Sequence, residues 1–421
     1  MAGSRWCAIA GISMLVVAGT AAGTSEAAPA RRAASKHRQI TTPPPPRRVL
    51  QGTAVRLQTL LHDAGYRDLF LREYDSLTPE NEMKMAFLQP RRGVFDFAAA
   101  DSLVAFAKQH HKQVRGHALV WGLQLPLWLI DHGATDNLGL HLPPISVPPL
   151  PLPPPLDTVD SAVSDLLTTL TGWDRSELLG IMRNHIDTVM RHFGADVPDW
   201  DVVNEPMSEN GALANNVWRR FIGPDYIEQA LRTARAANPR ARLFINEYAV
   251  EGPTAKLDGL LALVRDLKAR GVPLDGVGLQ YHTNTKGFYD EQTLTDTIRR
   301  FAALGVEVEI TEMDVGTSLL DGSTQQRLAL QASAYGNAAR ACNAVQACTR
   351  FTTWGFTDRV SWLGPAEMGL PFDTQYRPKP AFEAVRSAFA SSSARTTRRL
   401  RHMVRPATRG RVSVRKTPRA P

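Results

Sequence analysis

Polar residues gather at the ends of six short apolar runs, where a strand with only a structural task has no use for them. One run leads into Glu80, Asn81 and Lys84, a second into His117, Trp121 and Gln124, and a third into Asn204 and Glu205. Three more supply Asn246, Glu247 and Tyr248, then Gln280 and His282, then Glu312 with Asp314. Two glutamates on separate strands, surrounded by amides, imidazoles and indoles, suit the cleavage of a sugar. Amide and carboxylate side chains bond to hydroxyls, and indole faces cover the apolar faces of pyranose rings. Any one of these glutamates alone reads more readily as a solvated or ion-paired side chain; the joint pattern reverses that reading. The last run holds three carboxylates, Glu307, Glu309 and Glu312. Alternation in an extended strand puts Glu312 on the face of Val308 and Ile310, and Glu307 with Glu309 on the other. Only Glu312 is also terminal, so it is the candidate.

The elements that must hold these groups are eight strand candidates, at residues 52–55, 69–74, 113–119, 200–204, 242–246, 276–280, 306–311 and 351–356. Helical stretches separate them. Leu178, Met182, Ile186, Val189 and Phe193 recur at three- and four-residue steps, as one buried helix face requires, and residues 257–269 behave similarly. Eight β/α units in about 340 residues predict an α/β TIM (β/α)8 barrel, a single catalytic domain over residues 51–390. A doubly wound sheet competes, but no Gly-rich phosphate loop follows the first strand. In a barrel the catalytic groups stand at the C-terminal ends of strands, where these residues fall. A segment at 134–172, dense in proline from Leu142 to Leu156, interrupts the pattern between the third strand and its helix. It reads as a surface insertion on the active face, either narrowing a cleft or making a mobile excursion.

The 421 residues are 43% hydrophobic and 21% charged, which suits a chain that buries a large core. The formal charge of +8 is misleading, because the excess sits at the ends. Residues 1–50 hold seven basic side chains and one acidic, residues 391–421 hold ten basic and none acidic, and the body between is therefore acidic. A nucleic-acid partner is not expected of such a body, since phosphate neutralisation needs clustered Lys and Arg. Residues 1–30 carry Arg5, an apolar small-residue run and Ala28-Pro29-Ala30, the three parts of a signal peptide cleaved near Ala30; the run is short for a membrane anchor. Residues 31–50 are a basic, Pro-rich linker, and 391–421 a basic, solvated tail that could also attach to an anionic cell envelope. Export leaves the mature chain one cysteine pair, Cys342 and Cys348, close enough in sequence for a short-loop disulfide. Two cysteines without nearby histidines make a poor zinc site, and neither metal nor cofactor is expected. The protein is expected to be secreted and monomeric.

Seven segments in order, Thr78 to Lys84 (TPENEMK), Arg115 to Trp121 (RGHALVW), Trp200 to Glu205 (WDVVNE), Ile245 to Tyr248 (INEY), Gly278 to His282 (GLQYH), Ile310 to Asp314 (ITEMD) and Thr353 to Gly355 (TWG), resemble family 10 glycoside hydrolases, the retaining endo-β-1,4-xylanases. They span nearly all of residues 51–390. The cysteine pair before the eighth strand is a further point of resemblance. The resemblance implies that Glu205 is the general acid/base and Glu312 the nucleophile. In a retaining enzyme the two carboxyls lie about 5 to 5.5 Å apart, one attacking the anomeric carbon while the other protonates the leaving oxygen. It also implies that His282 bonds to Glu312 and is oriented by Asp314, and that Asn204 reaches the 2-hydroxyl. Glu80, Asn81, Lys84 and Gln124 would bind the next sugar toward the non-reducing end. His117 and Gln280 would line the cleavage subsite, with Trp121 and Tyr248 among the sugar-binding residues. Trp354 and Trp362 would close over the cleaved sugar and crowd a hydroxymethyl group, or else pack as core and lid.

The chain departs from the family pattern at Met85, where Trp is usual, at Gly122, where His is usual, and at Ala249, where a polar residue is common. The first two lie close to the glycone subsites, so altered substrate preference is expected. Three readings follow. The partner is a polysaccharide, cleaved by a secreted endo-β-1,4-xylanase or by a related enzyme of another β-1,4-glycan, or bound by a carbohydrate- or envelope-associated protein without turnover. Both glutamates are present, which argues against the last.

Overall fold

The structure is a computed structural model that describes residues 48–131, 172–319 and 322–390. The expected leader at 1–30, nearly all of the linker at 31–50, the insertion at 134–172 up to its last residue and the tail at 391–421 lie outside the described residues.

Eight parallel strands form the centre: Leu50–Val55 (β1), Ser76–Pro79 (β2), Gln113–Trp121 (β3), Asp199–Asn204 (β4), Arg242–Glu247 (β5), Gly276–Leu279 (β6), Glu307–Gly316 (β8) and Cys348–Thr353 (β9). Between β6 and β8 in the chain, a short strand His282–Asn284 (β7) pairs with the far end of β8. The strands neighbour one another in the order β6-β5-β4-β3-β2-β1-β9-β8, and β6 pairs with β8, so the sheet closes into the expected TIM barrel. Helices between the strands cover it. The helix Arg175–Phe193 buries Leu178, Met182, Ile186, Val189 and Phe193, the face that the spacing predicts. Asp174 caps its start by accepting from the Ser176 and Glu177 N–H groups.

One expected strand is wrong. Residues 69–74 lie in and just after the helix Ala64–Glu73, and the second strand is Ser76–Pro79. Asp63 caps that helix through Tyr66 N–H, and Tyr66, Leu69 and Phe70 are buried together at helical spacing. The β-rich composition of Leu69 to Tyr74 concealed a three- and four-residue period that starts before it.

Interior and exterior faces of the strands differ in kind. Outward residues such as Leu243, Ile245, Val308 and Ile310 join an apolar layer under the helices. Inward, alternate positions carry charge. The Arg115 guanidinium grips both oxygens of Asp201 and reaches across the barrel to Glu309. Below it Arg242 donates to both oxygens of Asp199 at 2.6 and 2.7 Å and to Glu307 at 2.6 Å, and Arg350 joins Asp199 to Glu309. Phe244 lies between the layers, 4.5 Å from the Arg115 guanidinium. Gly276 makes room for it, since a β-carbon there would sit 2.1 Å from the ring. Cys342, at the end of the helix Thr324–Ala344, is bonded to Cys348 at the start of β9, with S–S 2.00 Å.

Candidate active site

The inward column ends in the groups that chemistry needs. β4 closes on Asn204, and Glu205 then takes a left-handed backbone conformation, φ 54°. A β-carbon disfavours that region. Its effect is to turn the side chains of two successive residues toward one cleft, where an extended strand would set them on opposite faces. Glu205 Oε2 accepts from Trp121 Nε1 at 2.9 Å, and its Oε1 accepts from Asn204 Nδ2 and Gln280 Nε2, each at 3.1 Å.

Glu312 comes from the opposite wall. Regular alternation does not hold here: Glu309 is inside the barrel and so are both Thr311 and Glu312. β8 departs from regular register between Ile310 and Met313, which lets consecutive side chains face inward. Thr311 donates to Asn246 Oδ1 at 2.6 Å, and Asn246 Nδ2 donates to Glu312 Oε1 at 2.6 Å and to Asn204 Oδ1 at 2.8 Å. An amide chain, Asn204 to Asn246, thus connects the two carboxylates. It needs Gly278, because a β-carbon there would lie 2.1 Å from Asn246 Oδ1.

Each side of Glu312 meets a histidine backed by an aspartate. His282 Nε2 is 3.3 Å from Glu312 Oε2 and its Nδ1 is 2.9 Å from Asp314 Oδ2, which also accepts from Trp362 Nε1 at 2.6 Å. His117 Nδ1 is 3.0 Å from Asp201 and 3.8 Å from Glu312 Oε1. Burial raises the Glu312 carboxyl, but His117 and His282 outweigh it and hold the group below its ordinary value, ionised. Burial disfavours a charged His282, yet Asp314 and Glu312 hold it well above the usual imidazole value, as an imidazolium. The Trp354 ring stands edge-on to both, 5.1 Å from His117 and 6.3 Å from His282.

The remaining expected residues surround this pair. Lys84 Nζ donates to Asn81 Oδ1 at 3.1 Å and lies 5.2 Å from the Trp121 ring. Burial pushes its ammonium below the ordinary value, against the pull of Glu80, Glu312 and Glu205. Glu80 accepts from Arg56 Nε at 2.7 Å. Gln124 has a left-handed backbone, φ 52°, and its carbonyl accepts from Ala86 N–H at 3.1 Å. Tyr248 is placed by other contacts, its ring 3.0 Å from Lys256 Nζ. Of the departures, Met85 is buried in the core. Gly122 faces Asn216, whose Cβ would be 2.8 Å from an added β-carbon, so a histidine there would collide. The sequence reading missed Asp201, Arg56 and the bridging role of Asn246.

The family model for glycosyl hydrolase family 10 matches residues 47–144 and 160–388. The chain belongs to glycosyl hydrolase family 10. It is 35% identical over 325 residues to endo-1,4-beta-xylanase B of Thermotoga neapolitana, covering 76% of this chain and 82% of that one. Among solved structures it is similar to native xylanase 10B from Thermotoga maritima, with TM-score 0.70 and 32% identity over 83% of this chain and 97% of that one. The xylanase 10B from Thermotoga petrophila in complex with xylobiose superposes with TM-score 0.69 and 32% identity, covering 82% and 95%.

Proposed function

We propose that the protein is an endo-1,4-β-xylanase that cleaves internal bonds of xylan with retention of configuration, Glu312 acting as nucleophile and Glu205 as acid/base. The observation that carries this reading is the asymmetry of the pair. Glu312 is kept as an anion by an amide and two imidazoles, while Glu205, across the amide chain, sits among an indole and two amides. Family membership supports the same roles. In the first step a Glu312 oxygen bonds to the anomeric carbon as the glycosidic C–O bond breaks, and Glu205 gives its proton to the departing oxygen. In the second, Glu205 takes a proton from water, whose oxygen replaces Glu312. His282, oriented by Asp314, keeps Glu312 aimed, and Asn204 lies where the 2-hydroxyl arrives. Glu80, Asn81, Lys84 and Gln124 receive the next sugar, and Trp354 with Trp362 encloses the cleaved one.

The test is reducing-sugar release from arabinoxylan, cellulose and mixed-linkage glucan, with NMR of the first-formed anomer. Glu312→Ala should lose about 10⁴-fold or more on xylan. Glu205→Ala should lose about 10² to 10⁴-fold on xylan but much less on an aryl xyloside whose leaving group needs no proton. First-formed α-anomer, or equal loss in Glu205→Ala on both substrates, would overturn the assignment. Cleavage of cellulose in preference to xylan would move the substrate to another β-1,4-glycan. Export belongs to the same proposal: the N-terminus of the protein recovered from the culture medium should lie near Ala30, and loss of the basic tail should weaken any salt-sensitive attachment to the envelope.

A further inference from the structure

Three buried titratable side chains near the end of β5 take no part in the network just described: Glu247, Glu251 and Lys256, with exposures of 0, 2 and 0%. β5 lies between β4 and β6 in the barrel, so the segment after it is flanked by the loop that carries Glu205 and by the turn that carries Gln280 and His282. Glu247 Oε2 accepts from the N–H of Met207, two residues beyond Glu205, at 2.9 Å. Its Oε1 accepts from Tyr248 N–H and lies against Lys256 Nζ, each at 3.0 Å. The same ammonium reaches Glu209 Oε1 at 3.0 Å, farther along the Glu205 loop. The main chains also touch there. A β-carbon on Gly211 would lie 2.4 Å from the Ala255 carbonyl oxygen, and one on Gly259 would lie 2.1 Å from the Gly211 oxygen. On the other side Glu251 Oε1 accepts from Tyr281 N–H at 2.8 Å. Tyr281 sits between Gln280 and His282 in a left-handed conformation, φ 58°, and its hydroxyl accepts from Tyr289 N–H at 3.1 Å.

We propose that Glu247 and Glu251 are positioning residues, each bracing one half of the catalytic apparatus from the β5 side: Glu247, tied to Lys256, sets the Glu205 loop, and Glu251 sets the turn that delivers Gln280 and His282. The inference rests on the roles given above to Glu205 and Glu312. Its consequence is a division of labour. Disturbing Glu247 misplaces the acid and matters most when the leaving group needs a proton. Disturbing Glu251 misplaces the groups that aim both carboxyls and matters for every substrate.

The full chain would be assayed for kcat/KM on xylan and on an aryl xylobioside with a nitrophenolate leaving group, with melting curves for each variant. Glu247→Gln puts an amide NH₂ against a backbone N–H or Lys256 whichever way it turns, and should lose about 10²-fold on xylan and less than about tenfold on the aryl substrate. Glu251→Ala should lose about 10²-fold on both, and Glu251→Gln, which keeps an accepting oxygen for Tyr281 N–H, should recover most of that loss. Should Glu247→Gln not fold, Glu209→Gln tests the same brace from its exposed end, with a loss of about threefold confined to xylan. Equal losses of Glu247→Gln on both substrates, wild-type activity in Glu251→Ala, or no recovery in Glu251→Gln would overturn the brace while the wild type still turns over. A wild type inert on both substrates would overturn the underlying assignment instead.

Discussion

Inside the barrel, Arg115, Arg242 and Arg350 interleave with Asp199, Asp201, Glu307 and Glu309; a strand's thickness away, Ile186, Leu231, Leu260 and Phe301 fill the layer under the helices. The outer layer follows the ordinary rule that burying apolar area stabilises in proportion to area. The interior does not, and it departs from the branched aliphatic filling common in such barrels. Desolvated ion pairs are poor stabilisers relative to apolar packing, yet each member is costly to remove alone. What the interior provides is direction: Asp201, fixed on both oxygens by Arg115, in turn fixes His117 beside Glu312. Stability comes from the outer layer and orientation from the inner one.

The sharpest way to break this contrast is Arg115→Met, which takes from Asp201 and Glu309 the cation they share and leaves Asp201 only His117 and Glu309 only Arg350 and the more distant Arg242. It should cost about 3 to 5 kcal/mol by urea unfolding and lower kcat as His117 loses its anchor. A full-activity variant would show that the interior charges do not orient the site. Next, Leu231→Ala in the outer layer should cost about 3 kcal/mol while leaving kcat at its wild-type value, because only packing is lost. A drop in kcat at temperatures where the variant is folded would blur the two regions into one.

The smallest effect comes from an outer-layer exception. His185 is 1% exposed, its Nδ1 3.0 Å from Gln89 Oε1, and burial pushes its imidazole down to about 3. The folded chain therefore keeps this ring neutral where the unfolded chain, near the ordinary value of about 6.5, takes up a proton. Stability falls as pH drops below that value. Between pH 6.5 and 5 this group should cost about 2 kcal/mol, and His185→Phe should flatten that part of the pH–stability curve. An unchanged slope would mean that the ring titrates in the folded protein.

The same contrast explains how much could be read in advance. The barrel was legible because outward faces are apolar with a period of two in strands and three to four in helices, as at Leu178 to Phe193. The run at Leu69 to Tyr74 misled because its helix begins at Ala64, behind an Asp63 cap that a composition-based reading passes over. Glu205 and Glu312 were legible as terminal carboxylates in polar company. Regular alternation would set Glu312 and Glu309 on opposite faces, but the irregular stretch of β8 lets both face inward. Asp201 and Arg115 were missed for one reason. Charged residues at alternate strand positions ordinarily mean a solvent face, and only a closed barrel turns that face into an interior. The signal was present in Arg115 with His117, Asp199 with Asp201, and Glu307 with Glu309. Contacts such as Glu247 to Met207 N–H depend on loop paths that no periodicity encodes.

The Arg115 linkage also limits how this chain can change by descent. Asp201 and Glu309 stand on strands far apart in sequence, and each shares its charge with a second arginine or a histidine. Replacing any one member leaves buried ions with part of their compensation gone, whereas exchanging the set together for apolar residues of matched volume need not. Lineages that accumulate single substitutions therefore meet a barrier at this layer that they do not meet in the aliphatic layer outside, where one methyl group at a time can be traded. The barrel's centre is entrenched by mutual dependence, and diversification of such a chain is channelled to its loops and its outer surface.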